Sequence, residues 1–340
     1  MTDARTSPGG SPPEPSFNMK ELEIPVRRIY VRKRLDRYLA NRIPVHSRTF
    51  WQKLIREGAV TVNGRPTKPS YEVSRGDVIK LSYPEPVKSK LMPEDLPIDV
   101  IYEDDAIIVI NKPPGIVVHP APGHMTGTLV NALLFHCDEL SPAEDDQRTG
   151  VVHRLDKDTS GVILFAKKED AHQYVAWQFE HRKVEKEYAA IVEGEVEFDS
   201  DLIDLPIAKD LHDPLRMTIH EYGREATTEY EVVERFRSYT HIVARPKTGR
   251  THQIRVHLAS IGHPVLGDVT YGRSGDRLYL SHLLGRDVEP DEEPIIARQA
   301  LHARSLAIRH PYTKQIVRFL APLPRDMREV LIELRRHRRL

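Results

Sequence analysis

The amino-acid sequence predicts an α+β fold in two parts, a small basic α+β domain followed by a larger domain built on a mixed β-sheet. Strand-like and helix-like segments alternate without the regular β-α-β order of a doubly wound sheet. A proline-rich, charged stretch separates two compact patterns. Positive charge is concentrated in the first part, because residues 20–90 contain 17 Lys and Arg but 7 Asp and Glu, although the 340-residue chain has no net charge. The first part therefore either meets a polyanion or presents a solvated basic face.

The chain is expected to divide into five segments. These are a disordered tail, a small basic domain, a linker, a large domain and a basic C-terminal helix, over residues 1–24, 25–84, 85–97, 98–325 and 326–340. The single cysteine, Cys137, excludes an internal disulfide. The sequence has no apolar run long enough to span a membrane, and its first residues do not form a signal peptide. We therefore expect a cytoplasmic monomer that does not contact a membrane.

The first part contains two predicted helices and a small β-unit. Leu35 and Leu39 lie four residues apart, as on one face of a helix, and a second helix is expected to end at Gly58. The stretch AVTVNGR then predicts a strand that turns at Asn63-Gly64. A second turn leads into another predicted strand, VIKLSY.

This first part resembles the RNA-binding domain named after ribosomal protein S-four. The resemblance rests on the runs RLDRYL, LIREGAVTVNG and EVSRGDVI. It implies that the two helices dock onto structured RNA and that their basic side chains contact phosphates. The candidate RNA-binding side chains are Arg34, Arg37, Arg42, Arg48, Lys53 and Arg56. For any one of them, a solvated surface position is an equally good interpretation.

The second part begins with two apolar, strand-like runs around an acidic turn, in IDVIYEDDAIIVINK. Helices are predicted in TGTLVNALLFHC and in EDAHQYVAWQFEHR, where Tyr174, Trp177 and Phe179 are expected to belong to the core. Further strands are predicted in KEYAAIVEG and TEYEVVERF. The C-terminal REVLIELRRHRRL predicts a helix with a basic end, which suits either RNA contact or a solvated tail.

Several motifs of nucleotide-binding enzymes and of serine hydrolases are absent from the sequence. It has no Walker phosphate loop, no Rossmann glycine pattern and no GxSxG nucleophile elbow. His252 and His257 are five residues apart, so they do not share a helix face as the ligands of a zinc protease do. We therefore expect no metal, no nucleotide cofactor and no other cofactor.

The run GVVHRLDKDTSGVILFAK places a dense group of polar residues between two apolar strands. A loop held in this way can fix a carboxylate rigidly beside a pocket. Asp156 is the candidate carboxylate, and Gly161 follows the polar group. A capped turn with internal salt bridges is the alternative interpretation, and the residues alone leave both open.

This run resembles the signature of the RluA family of pseudouridine synthases, and other blocks of the chain agree with it. They are NKPPGIVVHPAPGHMTGTLVNALL, KEYAAIVEG, RPKTGRTHQIRVHLASIGHPVLGD, LHARSLAIRHP and FLAPLP. The resemblance covers roughly residues 98–324 and implies a mixed, largely antiparallel sheet of the pseudouridine synthase type. The insert over residues 284–297 departs from the pattern and is expected to be a variable loop.

The resemblance implies a catalytic role for three residues. Asp156 falls on the family's nucleophile, which attacks the target uridine at the ribose anomeric carbon or on the uracil ring. Arg255 falls on the arginine that pairs with this carboxylate, on a short helix that Thr248 or Thr251 is expected to cap. Tyr188 falls on the tyrosine that stacks on the uracil and helps to remove the proton from its carbon 5.

Two further residues are assigned to substrate binding by the same resemblance. Arg154 corresponds to the arginine that fills the helix stack after the target base is flipped out, and Leu301 to an apolar position beside the base. The expected activity is isomerisation of uridine in large-subunit ribosomal RNA. The alternatives are the same chemistry on transfer RNA, an inactive RNA-binding or ribosome-assembly factor, and a carboxylate glycosidase, for which Asp158 is a poor second carboxylate.

Overall fold

The computed structural model describes residues 19–27, 33–43, 48–84, 91–120, 125–141, 149–213, 215–273, 275 and 277–340. The chain divides between Ser89 and Lys90 into two compact units. Within these described ranges, no helix is both long and apolar enough to cross a membrane.

The described residues of the N-terminal unit form two helices and six short strands. They are β1 (Met19–Pro25), β2 (Lys33–Arg34), α1 (Leu35–Arg42), α2 (Arg48–Arg56), β3 (Val60–Val62), β4 (Arg65–Pro66), β5 (Glu72–Val73) and β6 (Val78–Pro84). An antiparallel sheet has the order β1-β6-β3-β4, and β2 pairs with β5. Leu35, Leu39 and Trp51 are fully buried in its core. Asn63 and Gly64 both have positive φ, which confirms the predicted tight turn.

The predicted disordered tail is wrong for its last six residues. Met19–Pro25 forms strand β1, which pairs with β6 along its whole length. Leu22 and Ile24 alternate with two glutamates, which is the period of a strand, and Ile24 is buried. Residues 1–18, the rest of the predicted tail, lie outside the described residues.

The second unit contains eleven strands and five helices in its described residues. They are β7 (Val100–Glu103), β8 (Ile107–Lys112), α3 (Leu129–His136), β9 (Ser160–Ala166), α4 (Glu169–Glu180), β10 (Glu185–Glu193), β11 (Ser200–Asp204), β12 (Ile207–Lys209), β13 (Met217–Ile219), β14 (Thr227–Phe236), β15 (Tyr239–Pro246), α5 (Gln253–Ser260), α6 (Leu280–Leu284), β16 (Leu301–Arg309), β17 (Ile316–Leu320) and α7 (Arg325–His337). The large sheet has the order β11-β14-β15-β10-β16-β9-β8-β7, and β17 also pairs with β16. Only β16 and β9 pair in parallel, so the predicted mixed, largely antiparallel sheet is confirmed.

The middle of this sheet is buried on both faces. Residues of β8 alternate between two cores, since Ile107 and Val109 pack with α4 whereas Ile108 and Ile110 pack with α3. Continuous apolar runs such as those of β8 and β9 are typical of strands covered on both sides. The two helices therefore fix the position of β9, and with it the polar loop that precedes β9.

Two predicted boundaries need correction. The described part of the predicted linker packs on the second unit, where Asn131 Nδ2 donates to the Met92 carbonyl at 2.8 Å and Leu91 contacts the core. The predicted C-terminal helix is present, but its apolar face is buried in the core that also holds β10 and β15, so α7 belongs to the second unit. The helical spacing of its apolar residues, and not its basic end, determines that α7 packs on the second unit.

Two local predictions are also wrong. Trp177 is not a core residue, because 47% of its surface is exposed. The segment before the polar loop is not a strand, since only one isolated bridge joins Val151 to Phe165. In the predicted insert, residues 285–297 form no helix or strand, although Ile296 is buried against Leu278.

Candidate active site

A cavity of about 430 Å³ opens in the second unit. Its walls come from the loop before β9, from β10, from the segment leading into α5 and from the start of β16. The five residues predicted for catalysis and substrate binding all line it: Arg154, Asp156, Tyr188, Arg255 and Leu301. Chain segments that lie far apart in the sequence thus meet at one place.

The polar loop is held against β16 by a very close backbone approach at Gly161. Gly161 has a φ of +112°, and a Cβ atom there would lie 2.2 Å from the Ala303 carbonyl oxygen. Only glycine fits that conformation and that space. Beside it, Ser160 Oγ lies 3.0 Å from Nδ1 of the buried His302. The end of the loop is therefore fixed in position.

A fully buried lysine holds the middle of the same loop. Lys112, at the end of β8, donates from Nζ to the carbonyl oxygens of Lys157 at 2.7 Å and Pro113 at 2.9 Å. Burial lowers the pKa of Lys112 to about 7, and the charge of Asp158 acts in the opposite direction. This lysine links the loop to the centre of the sheet.

Arg298 ties the loop to the C-terminal helix. It donates to the Asp158 carbonyl at 3.1 Å and forms two bonds to the Asp326 carboxylate on α7, at 2.7 and 2.9 Å. The guanidinium is almost completely buried, so these bonds replace its hydration. A residue outside the cavity therefore helps to set the shape of its wall.

Asp156 forms the predicted ion pair with Arg255. Arg255 Nη1 lies 3.0 Å from Asp156 Oδ2, and the same guanidinium makes two bonds to the buried Asp268, at 2.6 and 2.8 Å. Burial alone would lower the pKa of Arg255, but its contacts with Asp268 and Asp156 raise that pKa above its usual value. The Asp156 side chain is 21% exposed, so it remains accessible from the cavity.

Helix α5 begins in a way that the sequence did not predict. Its N-cap is His252, with a φ of 56°, and neither Thr248 nor Thr251 caps it. Thr248 instead donates to the Gln253 side chain at 2.6 Å. The left-handed conformation is uncommon for a residue other than glycine, and it places the His252 ring in the cavity wall.

The His252 ring lies between Asp156 and Tyr271. Its Nε2 is 3.9 Å from Asp156 Oδ2, and its Nδ1 is 3.0 Å from the Tyr271 hydroxyl. That hydroxyl accepts a bond from the Met217 amide, so its own hydrogen can go to Nδ1, which leaves the ring proton on Nε2. Burial lowers the pKa of His252, although Asp156 opposes the shift. The ring is therefore neutral at neutral pH.

Tyr188 forms the opposite wall from strand β10. It sits at a β-bulge, faces Ala303 and Ala244 on the neighbouring strands, and packs between two apolar cores. Burial and then the charge of Asp156 raise the pKa of Tyr188 above its usual value. The phenol hydroxyl is therefore protonated at neutral pH.

Three further residues of the cavity differ in exposure and charge. Arg154 is exposed, whereas Leu301, the first residue of β16, is buried. Lys186 donates to the Thr248 carbonyl at 2.8 Å, and burial lowers the pKa of Lys186 to about 8. The cavity thus combines an ion-paired carboxylate, an apolar wall and the exposed cation Arg154 at its edge.

The six candidate RNA-binding residues of the N-terminal unit lie on or directly beside α1 and α2, and all are exposed: Arg34, Arg37, Arg42, Arg48, Lys53 and Arg56. Two of them share a buried partner, since Arg34 and Arg48 both bind the Asp36 carboxylate. Burial raises the pKa of Asp36, but its bonds from Arg34, Gln52 and Arg48 outweigh this and hold the pKa far below its usual value. These two guanidinium groups are therefore fixed in position and still about half exposed.

Sequence reasoning missed four residues that support the cavity: Lys112, His252, Asp268 and Arg298. Three of them lie in blocks that carry the resemblance, so a signal for their importance existed but not for their contacts. Arg298 had no such signal. A carboxylate held between a cation and an apolar wall can act as a nucleophile on a planar substrate.

Two family models match the chain. The family described as "RNA pseudouridylate synthase" matches residues 106–260, and the "S4 domain" family matches residues 33–79. The human structure "RNA Pseudouridylate Synthase Domain Containing 4" is 26% identical with a TM-score of 0.52, and the match covers 70% of this chain and 93% of that one.

Curated relatives match over nearly the whole chain. "Uncharacterized RNA pseudouridine synthase YlyB" of Bacillus subtilis is 40% identical over 94% of this chain and 100% of its own length. "Ribosomal large subunit pseudouridine synthase D" of Pseudomonas aeruginosa is 38% identical over 90% of this chain and 93% of its own length. The protein of the same name from Neisseria meningitidis is 41% identical over 89% of this chain and 79% of its own length. The chain therefore belongs to the RluA family of RNA pseudouridine synthases, isomerases that act on RNA, with an N-terminal S4 domain.

Proposed function

We propose that this enzyme converts uridines of large-subunit ribosomal RNA to pseudouridine, with Asp156 as the nucleophile. The observation that carries the proposal is the Asp156 carboxylate in the cavity, held by Arg255 at 3.0 Å and faced by Tyr188. The choice of RNA rests on relatives named "Ribosomal large subunit pseudouridine synthase D" at about 40% identity. The reaction needs no net oxidation, since the same atoms are present before and after it.

The chemistry breaks the bond from the ribose to nitrogen 1 of uracil and makes a bond to carbon 5. In one version Asp156 attacks the anomeric carbon and releases the uracil as an anion, which turns and displaces the carboxylate through carbon 5. In the other, Asp156 adds to the uracil ring, and this bond breaks again after the ribose has been joined to carbon 5. Either route ends with loss of the carbon 5 proton and gain of a proton at nitrogen 1. Arg255 holds the Asp156 carboxylate in position in both.

Tyr188 provides the face on which the uracil stacks while it turns. Because its phenol is protonated, it can accept the carbon 5 proton only if it passes its own proton to another group. Leu301 adds an apolar surface beside the base, which keeps water from the reacting atoms.

Arg154 lies exposed at the edge of the cavity, where a planar cation can fill the gap left by a flipped base. The exposed cations of α1 and α2 would bind phosphates elsewhere on the RNA. Base extrusion and phosphate binding are thus assigned to separate parts of the chain.

The target is tested by incubating the purified chain with transcribed large-subunit ribosomal RNA and, separately, with transfer RNA. Nucleosides are then released by digestion and pseudouridine is quantified by chromatography. We expect pseudouridine in the ribosomal RNA. Its formation in transfer RNA alone would overturn the proposed target, and its absence from both would favour an RNA-binding factor without turnover.

A further inference from the structure

A second cavity lies beside the active site, on the other side of the C-terminal turn of α4. This Trp177 groove has a volume of about 550 Å³, and its lining includes Tyr174, Trp177, Lys183, Glu185, Arg309 and Ile316. Grooves of this size are large enough for a small ligand or part of a chain. Nothing in the reaction uses these residues.

The groove presents an aromatic face to solvent. Trp177 is 47% exposed, and its ring stacks on His181 with centroids 4.4 Å apart. The Tyr174 ring carries the Lys314 ammonium 3.6 Å from its centroid. A half-exposed indole supported from one side by another ring is ready to receive a planar group on its free surface.

The charge of the groove is positive. In the described part of the chain, neither Lys183 nor Arg309 has a carboxylate within 4 Å, and both are exposed. The one acidic residue of the lining, Glu185, is neutralised by Arg318 at 2.6 Å. The cations therefore remain available to an anionic partner.

The groove adjoins the active site through a short piece of chain. Phe179 and Arg182 line the active-site cavity, whereas Trp177 and Lys183 line the groove. The same holds on β10, where Lys186 faces the cavity and Glu185 the groove. The two cavities thus draw part of their linings from the same short piece of chain, between Trp177 and Lys186.

We propose that the Trp177 groove binds the single-stranded RNA next to the target uridine. Trp177 stacks on one of its bases, and Lys183 and Arg309 bind its phosphates. This inference rests on the proposed function, because it takes RNA as the substrate. Stacking on an exposed aromatic residue tolerates any base, so the groove would hold flanking RNA without reading its sequence.

The direct test uses the fluorescence of Trp177. The full chain has two tryptophans, and the other, Trp51, is fully buried. An oligoadenylate of ten nucleotides serves as the probe, since it contains no uridine to react. We expect saturable quenching in the wild type and its loss in Trp177→Phe. Binding without a Trp177 signal would overturn the proposal.

Matched variants separate this site from the rest of the enzyme. Trp177→Ala should weaken oligoadenylate binding roughly 5- to 100-fold and raise KM for long RNA, with kcat at saturation unchanged. The control is Tyr222→Ala, which removes an 85% exposed aromatic ring outside the groove and should leave binding unchanged. Unaltered binding by Trp177→Ala would contradict the proposal.

Three other outcomes are informative. If the wild type converts ribosomal RNA and Trp177→Ala has the same KM, RNA binding by the groove is refuted and the proposed function stands. A wild-type enzyme that converts no RNA would refute the proposed function, and the oligoadenylate signal would still decide the groove. A dimer that dissociates in Trp177→Ala would assign the groove to a second copy of the chain and overturn the RNA proposal.

Discussion

Arg255 and Asp268 form a buried two-point ion pair, with nitrogen–oxygen distances of 2.6 and 2.8 Å. Asp268 is itself fixed, because its carboxylate accepts bonds from the amides of Thr270 and Tyr271. Asp268 therefore holds Arg255 through Nε and Nη2, and the Nη1 atom of Arg255 is left to bind Asp156, at 3.0 Å. The position of the proposed nucleophile thus depends on a carboxylate that does not line the cavity.

The variant Asp268→Asn tests this dependence. Loss of one partner of a buried pair costs about 3–5 kcal/mol, and Asn should lose somewhat less because it keeps one acceptor. Displacement of Arg255 should also lower kcat by roughly 100-fold, since small misplacements of reacting groups have effects of that size. Urea unfolding and single-turnover kinetics measure the two changes.

A surface pair of similar geometry provides the control for Asp268→Asn. Glu234 accepts three bonds from Arg335, two from Nε at 3.0 and 3.2 Å and one from Nη2 at 2.7 Å, but both side chains are partly exposed. Glu234→Gln should therefore change neither stability nor turnover appreciably. A normal kcat in Asp268→Asn would refute the positioning role.

The hydroxyl of Tyr188 is tested by Tyr188→Phe. Phenylalanine keeps the aromatic wall but cannot carry a proton, so we expect the single-turnover rate to fall by about 100-fold or more with RNA affinity unchanged. Tyr239→Phe, on the neighbouring strand β15 and outside the cavity, should be nearly neutral. An unchanged rate in Tyr188→Phe would limit Tyr188 to stacking.

The buried Lys112 predicts a dependence of stability on pH. Burial lowers its folded-state pKa to about 7, whereas the unfolded value is about 10.4. Between these values the unfolded chain binds more protons than the folded chain, so the contribution of Lys112 to the free energy of unfolding rises with pH. The slope is at most about 1.4 kcal/mol per pH unit.

The variant Lys112→Met removes this contribution. Relative to it, the wild type should gain stability from pH 7 to pH 9, as measured by urea unfolding at each pH. Lys247→Met serves as the control, because Lys247 is half-exposed and should show no such trend. Parallel pH profiles for Lys112→Met and the wild type would contradict the lowered pKa.

The N-terminal cations predict the salt dependence of RNA binding. Arg37, Lys53 and Arg56 are exposed on α1 and α2, so their joint replacement by Gln should not affect folding. Each lost phosphate contact should reduce the slope of log affinity against log salt by about 0.7–0.9. Filter binding of transcribed ribosomal RNA at several salt concentrations measures the slope.

The same number of charges can be removed from the N-terminal unit away from its helices, on the sheet and on the loop after β4. Joint replacement of Arg65, Lys68 and Lys80 by Gln should change the slope less than the helix variant does. Equal slopes for the two triple variants would indicate a general charge effect and not an RNA-binding helix face.

Sequence patterns predicted the fold and the lining of the cavity better than the contacts that support it. Asp156, Tyr188 and Arg255 carry motifs, and the sheet brings them together. Lys112 and Arg298 could not be placed, because each donates to a carbonyl oxygen of the polar loop, 45 and 140 residues away along the chain. The carboxylate partner of Arg298, Asp326, is itself 28 residues away on another element. A backbone carbonyl can belong to any residue, so no residue type in the sequence identifies such a partner.

The misplacement of Trp177 has a related cause. Helical periodicity identifies a face, but it does not say how wide the buried stripe is, and α4 buries Ala171 and Val175 while it leaves Trp177 exposed. Strand β1 was missed because of the residues that precede it. Its alternation of Leu22 and Ile24 with charged residues is clear, but it follows a proline-rich tail.

The central claim is that Asp156 is the nucleophile of a uridine isomerase. The most direct measurement is tritium release from ribosomal RNA labelled at carbon 5 of uracil, by the wild type, Asp156→Asn and Asp158→Asn. Asp158→Asn is the matched control, because it removes a carboxylate two residues away in the same loop. We predict release by the wild type and by Asp158→Asn, and none by Asp156→Asn. Release by Asp156→Asn at the wild-type rate would contradict the account.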